Sequence, residues 1–342
     1  MSSTSRWISY GLCLSALAIG ATACSGGDSQ NGSNASQVIT ADGSSTVFPV
    51  TEAVAEEFQK ANSGTHVTVG SSGTGGGFQK FCRDETDVSN ASRPIKETEL
   101  EACRKAGIDF IELPVAYDGI AIVVHPSNTW VTSMTAAELK KLWEPGAQGK
   151  ITRWNQIRPE WPDKEIRLFG AGTDSGTFDY FTEAIVGKEA QSRGDYTSSE
   201  DDNVIVQGVS GDQYALGYFG YAYYEQNKDK LKVVAIDDED ATNGAGPIAP
   251  SPETVAGGTY RPLSRPVFVY AKVKALQRPE VLKFVEFYLT EGAPLVREVG
   301  YIPMTEREQA LVRDRFTART TGTMYTGTDS HSQTTLEQRL TK

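Results

Sequence analysis

The sequence predicts an α/β fold, and three observations predict it. Short β-branched runs alternate along the chain with apolar residues at helical spacing. Three of those runs lead directly into Ser, Thr and Gly clusters that open onto helical patterns. The long hydrophobic run stands near the start, so the rest of the 342 residues has the composition of one or two globular domains and not of a multi-span membrane protein.

At the N-terminus, Arg6 precedes an apolar stretch from Trp7 to Ala23 that ends in Ala21-Thr22-Ala23 and reads as a signal peptide over residues 1–23. Cleavage there leaves Cys24 first, followed by a polar linker over residues 24–37 with a flexible-coil reach of about 20 Å. The pattern resembles a bacterial lipoprotein site, at which the cysteine takes the lipid. Ala21 stands where such sites usually carry leucine, and ordinary cleavage at the same bond is the alternative. The chain is expected outside the cytoplasm, in the periplasm or on the outer face of the cytoplasmic membrane, touching lipid through an anchor at Cys24. Cys13 leaves with the signal, so Cys82 and Cys103 remain and read as one disulfide in an oxidising compartment. A metal pair would need further ligands, and the neighbouring residues do not supply them.

Strands are expected at Val38–Thr40, His66–Val69, Ile120–Val124, Ile166–Phe169, Val233–Ile236 and Val267–Tyr270. Val50, Val54 and Phe58 recur at helical spacing after Pro49, a residue suited to a first helical turn. Thr135 to Glu138 reads as a capping box for a helix burying Leu139, Leu142 and Trp143. Val281, Leu282, Val285, Tyr288 and Leu289 form another apolar helical face, and the last twenty or so residues read as frayed and polar.

Charge narrows the partners. Lys and Arg number 33 against 44 Asp and Glu, and loss of residues 1–23 removes Arg6, leaving 32 against 44. Nucleic acid and anionic membrane surfaces are held mainly by clustered cations and are excluded. A small anion is not, because salt screens distant carboxylates over about 8 Å and leaves the dipoles of a pocket in control.

The three turns carry the functional signal. Asp42-Gly43-Ser44-Ser45-Thr46 follows the first strand, Gly70-Ser71-Ser72-Gly73-Thr74-Gly75 the second, and Gly172-Thr173-Asp174-Ser175-Gly176-Thr177 the fourth. Each puts hydroxyls and unpaired backbone N–H groups at a helix start, where the peptide dipoles sum to roughly half a positive charge. A tetrahedral oxyanion satisfies both, and glycine lets the backbone approach it closely. Any single turn of this kind is accounted for by ordinary capping. Three in one chain point to a shared anion site.

These turns, with Ser89-Asn90-Ala91-Ser92-Arg93-Pro94, stand in the order and at the spacing of periplasmic phosphate-binding proteins of ABC phosphate uptake systems, which the chain resembles over residues 38–305. The likeness extends through Val115-Ala116-Tyr117-Asp118-Gly119, Gly217-Tyr218-Phe219-Gly220-Tyr221-Ala222 and Pro262-Leu263-Ser264-Arg265-Pro266. It implies a type II periplasmic-binding-protein fold: two α/β lobes with a two-stranded hinge, residues 38–117 and 267–342 in one lobe and 118–266 in the other. It implies a monomer that uses no cofactor, binds inorganic phosphate and delivers it to the membrane permease subunits of an ABC transporter. Phosphate contacts carry over onto Ser45, Thr46, Ser71, Ser175, Gly176 and Thr177, with Ser72 nearby. Arg93 stands where better-known members carry an aspartate, and no arginine precedes Ser175 closely, so Arg93 is expected to supply the cation and Asp118 or Asp174 the carboxylate. An ionised acceptor favours phosphate, which keeps a P–O–H donor near neutral pH, over sulfate, which has none.

Other oxyanions and phosphoester hydrolysis are the competing readings. Hydrolysis needs a base, and His66, His125 and His331 are the available histidines: one at a strand start, one before a proline, one in the tail. The glycines at 73, 75 and 77 match neither nucleotide-loop pattern, and no Gly-x-Ser-x-Gly or His-Glu-x-x-His motif occurs, so an enzyme is not expected. The aromatic run from Tyr214 to Tyr224 reads as core, and Asp237-Asp238-Glu239-Asp240 as a solvated acidic loop.

Overall fold

The computed structural model describes residues 37–173, 175–242, 246–325 and 334–342. The signal peptide, Cys24, the linker up to Ser36, Asp174 and His331 lie outside the described residues.

The chain begins with β1 (Gln37–Gly43), α1 (Phe48–Ala61), β2 (Thr65–Val69), α2 (Gly73–Cys82), β3 (Val88–Ala91) and α3 (Glu97–Lys105). β1 pairs in parallel with both β2 and β3, so each strand reaches its neighbour through a helix crossing one face. Pro49 stands in the first turn of α1, and Val50, Val54 and Phe58 are buried on one stripe, as their spacing requires. Gly77 fixes the approach of α2 to the sheet, because a Cβ there would lie 2.4 Å from the Cα of Gly43. Cys82 and Cys103 are bonded, with Cα atoms 4.4 Å apart, and tie the end of α2 to α3 over the cluster of Phe78, Phe81, Phe110, Phe268 and Tyr270.

The next element is β4 (Phe110–Val124), fifteen residues buried throughout. After it come β5 (Ser133–Thr135), α4 (Ala136–Trp143), β6 (Arg167–Ala171), α5 (Gly176–Phe181), β7 (Thr197–Ser199), α6 (Asp202–Gly211), β8 (Ala215–Gly220) and α7 (Tyr221–Gln226). β9 (Lys232–Val233), β10 (Ala235–Asp237), α8 (Pro252–Ala256), β11 (Ser264–Lys272), α9 (Pro279–Glu298), α10 (Glu306–Thr317) and α11 (Leu336–Leu340) complete it. The main sheet runs β2-β1-β3-β11-β4-β8-β6-β7. β4 is its spine: residues 110–119 pair antiparallel with β11, and Ile120–Val124 pair antiparallel with β8. Residues 116–119 of β4 and 264–267 of β11, where the two expected lobes meet, are thus direct neighbours, with Asp118 opposite Arg265. Residues 36–342 form one compact unit.

Thr135 caps α4 reciprocally with Glu138, and Leu139, Leu142 and Trp143 are fully buried, as expected. The aromatic run is core: Phe181 stacks on Tyr218 at 3.9 Å between centroids, with Trp143 edge-on at 4.9 Å. Three expectations change. The strand expected at Val233–Ile236 is broken at Val234 into β9, paired with β4, and β10, paired with β5. β3, β5, β7, β8 and residues 110–119 of β4 were not expected; β3 and β8 are short, buried on both faces and lack alternation. The C-terminus is not frayed throughout: α11 has a Thr335–Gln338 capping box and buries Leu336.

Candidate functional site

The β1–α1 turn, the start of α2, the segment after β3, α5 with the turn after it, and β11 all contribute to one cavity of ≈ 300 Å³, counted with the solvent-open space at its mouth. Its wall carries Ser44, Ser45 and Thr46, then Gly73 and Thr74, then Ser92 and Arg93. Asp179, Tyr180, Glu183, Glu189 and Arg265 complete it.

Local chemistry shapes each turn. The carbonyl of Ser44 accepts from Val47 and Phe48 at 3.2 and 3.0 Å, which winds the chain into α1, while the N–H groups of Ser45 and Thr46 find no acceptor among the described residues. Ser175 caps α5, its Oγ accepting from the Thr177 N–H at 3.2 Å. That cap seats Gly176 against the first turn: Thr46 Oγ1 donates to the Gly176 carbonyl at 3.2 Å. A Cβ on Gly176 would stand 2.4 Å from the Thr46 nitrogen, so the contact requires glycine. Thr74 Oγ1 lies 3.0 Å from Ser92 Oγ and accepts the Ser92 N–H at 3.2 Å, joining the second turn to the segment after β3.

Ser71 and Ser72 are exposed and absent from the cavity wall. The physical reason is where α2 begins: Gly73 takes a φ of +75° and opens the helix, while the Ser72 hydroxyl donates to Asp42, itself paired with Lys80 at 2.6 Å. Gly73 and Thr74 hold the wall in their place.

The cations are arranged differently from expectation. Arg93 reaches the wall, but both arms of its fork go to Glu99, at 2.9 and 2.8 Å, and Glu99 also accepts the Lys96 N–H that opens α3. Arg265, to which sequence reasoning assigned no role, lies flat on the Tyr180 ring at 3.5 Å from its centroid and donates to Thr46 Oγ1 at 3.3 Å. Its Nε stands 3.6 Å from Asp118 Oδ2, an ion pair too long for a hydrogen bond, and neither atom has another partner. Its remaining arm is 3.7 Å from Glu183. The available signal was a lone cation before Pro266 at the head of an apolar strand, where packing alone does not call for one.

Two carboxylates bear on selectivity. Asp118 is not on the wall; it lies beneath Arg265, and burial holds its proton affinity above the ordinary aspartate range despite the guanidinium. Asp179, one turn into α5, is on the wall. Burial and the nearby Glu189 push it up to about 6, against the pull of Arg265 and a hydrogen bond with the Ser45 side chain. Sequence reasoning missed Asp179 because it stands among Phe178, Tyr180 and Phe181 and reads as the polar face of an apolar helix.

Comparison with known proteins shows which family the chain belongs to. Residues 28–291 match the PBP superfamily domain. Protein SphX of Synechococcus elongatus is 51% identical over 290 residues, 85% of this chain and 84% of that protein. The phosphate-binding protein PstS of Staphylococcus saprophyticus is 37% identical over 298 residues, 85% of this chain and 89% of that one. Among solved structures, a possible phosphate-binding protein from Planctomyces limnophilus superposes with a TM-score of 0.78 at 47% identity, covering 83% of this chain and 99% of that one. A putative phosphate ABC transporter substrate-binding protein from Clostridium perfringens, with bound phosphate, gives 0.55 at 28% identity, covering 79% and 100%. The fold is that of the PBP superfamily, and within it the chain belongs to the family that includes protein SphX and the phosphate-binding protein PstS.

Proposed function

We propose that this chain captures inorganic phosphate in the cavity and delivers it to the permease subunits of an ABC phosphate importer. The single observation that carries the reading is the meeting of Thr46, Gly176 and Arg265 at one point, with unpaired N–H groups of Ser45 and Thr46 beside them. Hydrogen bonds to a charged group are worth about 1.5–3 kcal/mol each, enough for several converging dipoles to hold an oxyanion without metal. Ser45 and Thr46 supply hydroxyls and N–H groups on the wall, and Ser175, Gly176 and Thr177, which are not among the wall residues, act from behind Thr46. Arg265 supplies the central charge and Arg93 a shared one. In this reading Asp179 takes the part expected of Asp118 or Asp174.

Residues 38–117 with 267–342, and 118–266, act as two lobes hinged at the paired stretches of β4 and β11. On that division Thr46 and Gly176 belong to opposite lobes, and their contact corresponds to a closed cleft, so binding and closure are one thermodynamic event. The protein works as an exported monomer, tethered by lipid on Cys24 after loss of residues 1–23. Binding without turnover is the reading that the phosphate-binding relatives support. Calorimetric titration with phosphate, sulfate and arsenate near pH 7 tests the proposal. A phosphate response stronger than the sulfate response supports it, and no heat at millimolar phosphate ends it.

A further inference from the structure

The peptide between Thr46 and Val47 is held at both ends. Its N–H, on Val47, donates to the Ser44 carbonyl at 3.2 Å and closes the β1–α1 turn. Its carbonyl, on Thr46, accepts from the hydroxyl of Tyr301, 255 positions further along the chain. Pro49 brings no N–H to the first turn of α1, and no backbone N–H among the described residues reaches the Thr46 carbonyl. Thr46 is 4% exposed, so Tyr301 satisfies a buried acceptor that the helix itself leaves open.

Tyr301 is fixed in turn by its neighbours. Gly300 takes a φ of +91° beyond the end of α9 and passes close to α7, where a Cβ would stand 3.2 Å from the Cβ of Ala222. Ile302 exchanges two backbone hydrogen bonds with Tyr117 of β4, at 2.8 and 3.0 Å. The Tyr117 hydroxyl donates to Glu308, which closes the capping box of α10. Tyr117 adjoins Asp118, Asp118 stands opposite Arg265, and Arg265 donates to Thr46 Oγ1 at 3.3 Å. Thr46 is therefore gripped at its side chain by Arg265 and at its carbonyl by Tyr301, and both grips are anchored on consecutive residues of one strand.

We infer that Tyr301 is a positioning residue of the anion site: its hydroxyl fixes the Thr46 peptide, and with it the turn that carries the unpaired Ser45 and Thr46 N–H groups. The inference rests on the phosphate reading above and adds what keeps the site formed before the anion arrives. Tyr301 is not on the cavity wall, so it acts through Thr46. Its hydroxyl stays a donor throughout the neutral range, because burial and the nearby Asp118 raise its proton affinity well above that of an ordinary tyrosine. Without that donor the peptide rotates toward another partner between binding events, and apparent affinity falls with the fraction of time the binding conformer is populated.

The test is calorimetric titration with inorganic phosphate near pH 7 of the wild-type protein, Tyr301→Phe and Tyr288→Phe. Tyr288 also offers a hydroxyl to α1, 3.0 Å from Thr51 Oγ1, and neither of those residues is on the cavity wall. Both variants keep the ring and lose a buried hydroxyl, so both should melt a few degrees lower. Tyr301→Phe alone should weaken phosphate binding, by at least about tenfold. Wild-type affinity in Tyr301→Phe, or equal losses in the two variants, overturns the inference. Amide hydrogen exchange of the wild-type protein needs no variant: phosphate should slow exchange at residues 44–48 and 300–302 together, each at least about threefold. Protection confined to 44–48 overturns the inference even where Tyr301→Phe does not fold. Absence of any phosphate heat in the wild-type protein is a different result: it removes the phosphate reading, and the inference with it.

Discussion

Thr46 Oγ1 donates to the carbonyl of Gly176 across 130 residues of sequence, at 3.2 Å. The contact joins two helix starts end to end, and it exists because residue 176 has no side chain. The variant Gly176→Ala introduces a Cβ 2.4 Å from the Thr46 nitrogen and 2.6 Å from its Oγ1. The two turns must then part, and phosphate affinity is expected to fall at least about tenfold, since hydrogen bonds to the anion lengthen together. Calorimetry measures this; affinity within error of wild type would show that the contact is not part of the binding geometry.

Arg265 and Arg93 should differ in consequence. Arg265→Ala leaves Asp118 buried and unpaired, which is expected to cost on the order of 3–5 kcal/mol of stability as well as phosphate binding. The double variant Asp118→Asn with Arg265→Met removes both charges and should recover most of the stability with none of the affinity. Arg93→Ala, whose partner Glu99 is less deeply buried, should weaken binding less than Arg265→Ala does. Thermal unfolding paired with titration separates the two effects, and equal losses at both arginines would contradict the assignment.

Asp202, at the start of α6, makes stability depend on pH. Burial, with Asp201 and Glu200 nearby, raises it from its ordinary value to about 7 in the folded chain. A carboxyl raised on folding stabilises the protonated state. Its contribution is therefore present at acid pH and lost as pH climbs through the folded value. Asp202→Asn should be close to neutral near pH 3, below the ordinary aspartate value, and raise the melting temperature by a few degrees at pH 8, a penalty of order 2 kcal/mol after solvent screening. A difference independent of pH would sink this account.

The disulfide should matter for stability and little for binding. Cys82 and Cys103 lie 21 residues apart in sequence and bridge α2 to α3 behind the cavity wall. Replacing both by serine should cost roughly 3 kcal/mol by the loop-entropy estimate. Phosphate affinity at 25 °C should stay near the wild-type value, as titration of the unreduced and variant proteins would record. A large affinity loss would mean that the bridge holds the wall itself.

Much of this molecule was legible before any coordinates. The capping box at Thr135, the buried stripe of α1 and the Ser175 cap on the Thr177 N–H depend on groups two to four residues apart, so the order of residue types encodes them directly. The three Ser/Gly turns suggested the proposed anion site for the same reason. What local order did not contain was the wiring between turns. Arg265 meets Thr46 across 219 positions, Glu99 neutralises the arginine that looked available, and Asp179 faces the cavity because α5 happens to be docked with that side inward. Helix dipoles and caps belong to segments, and a segment's sequence determines them. Which charge stands at the centre of the cavity is a property of the assembled sheet, because it depends on distances that close only when β4 and β11 lie side by side.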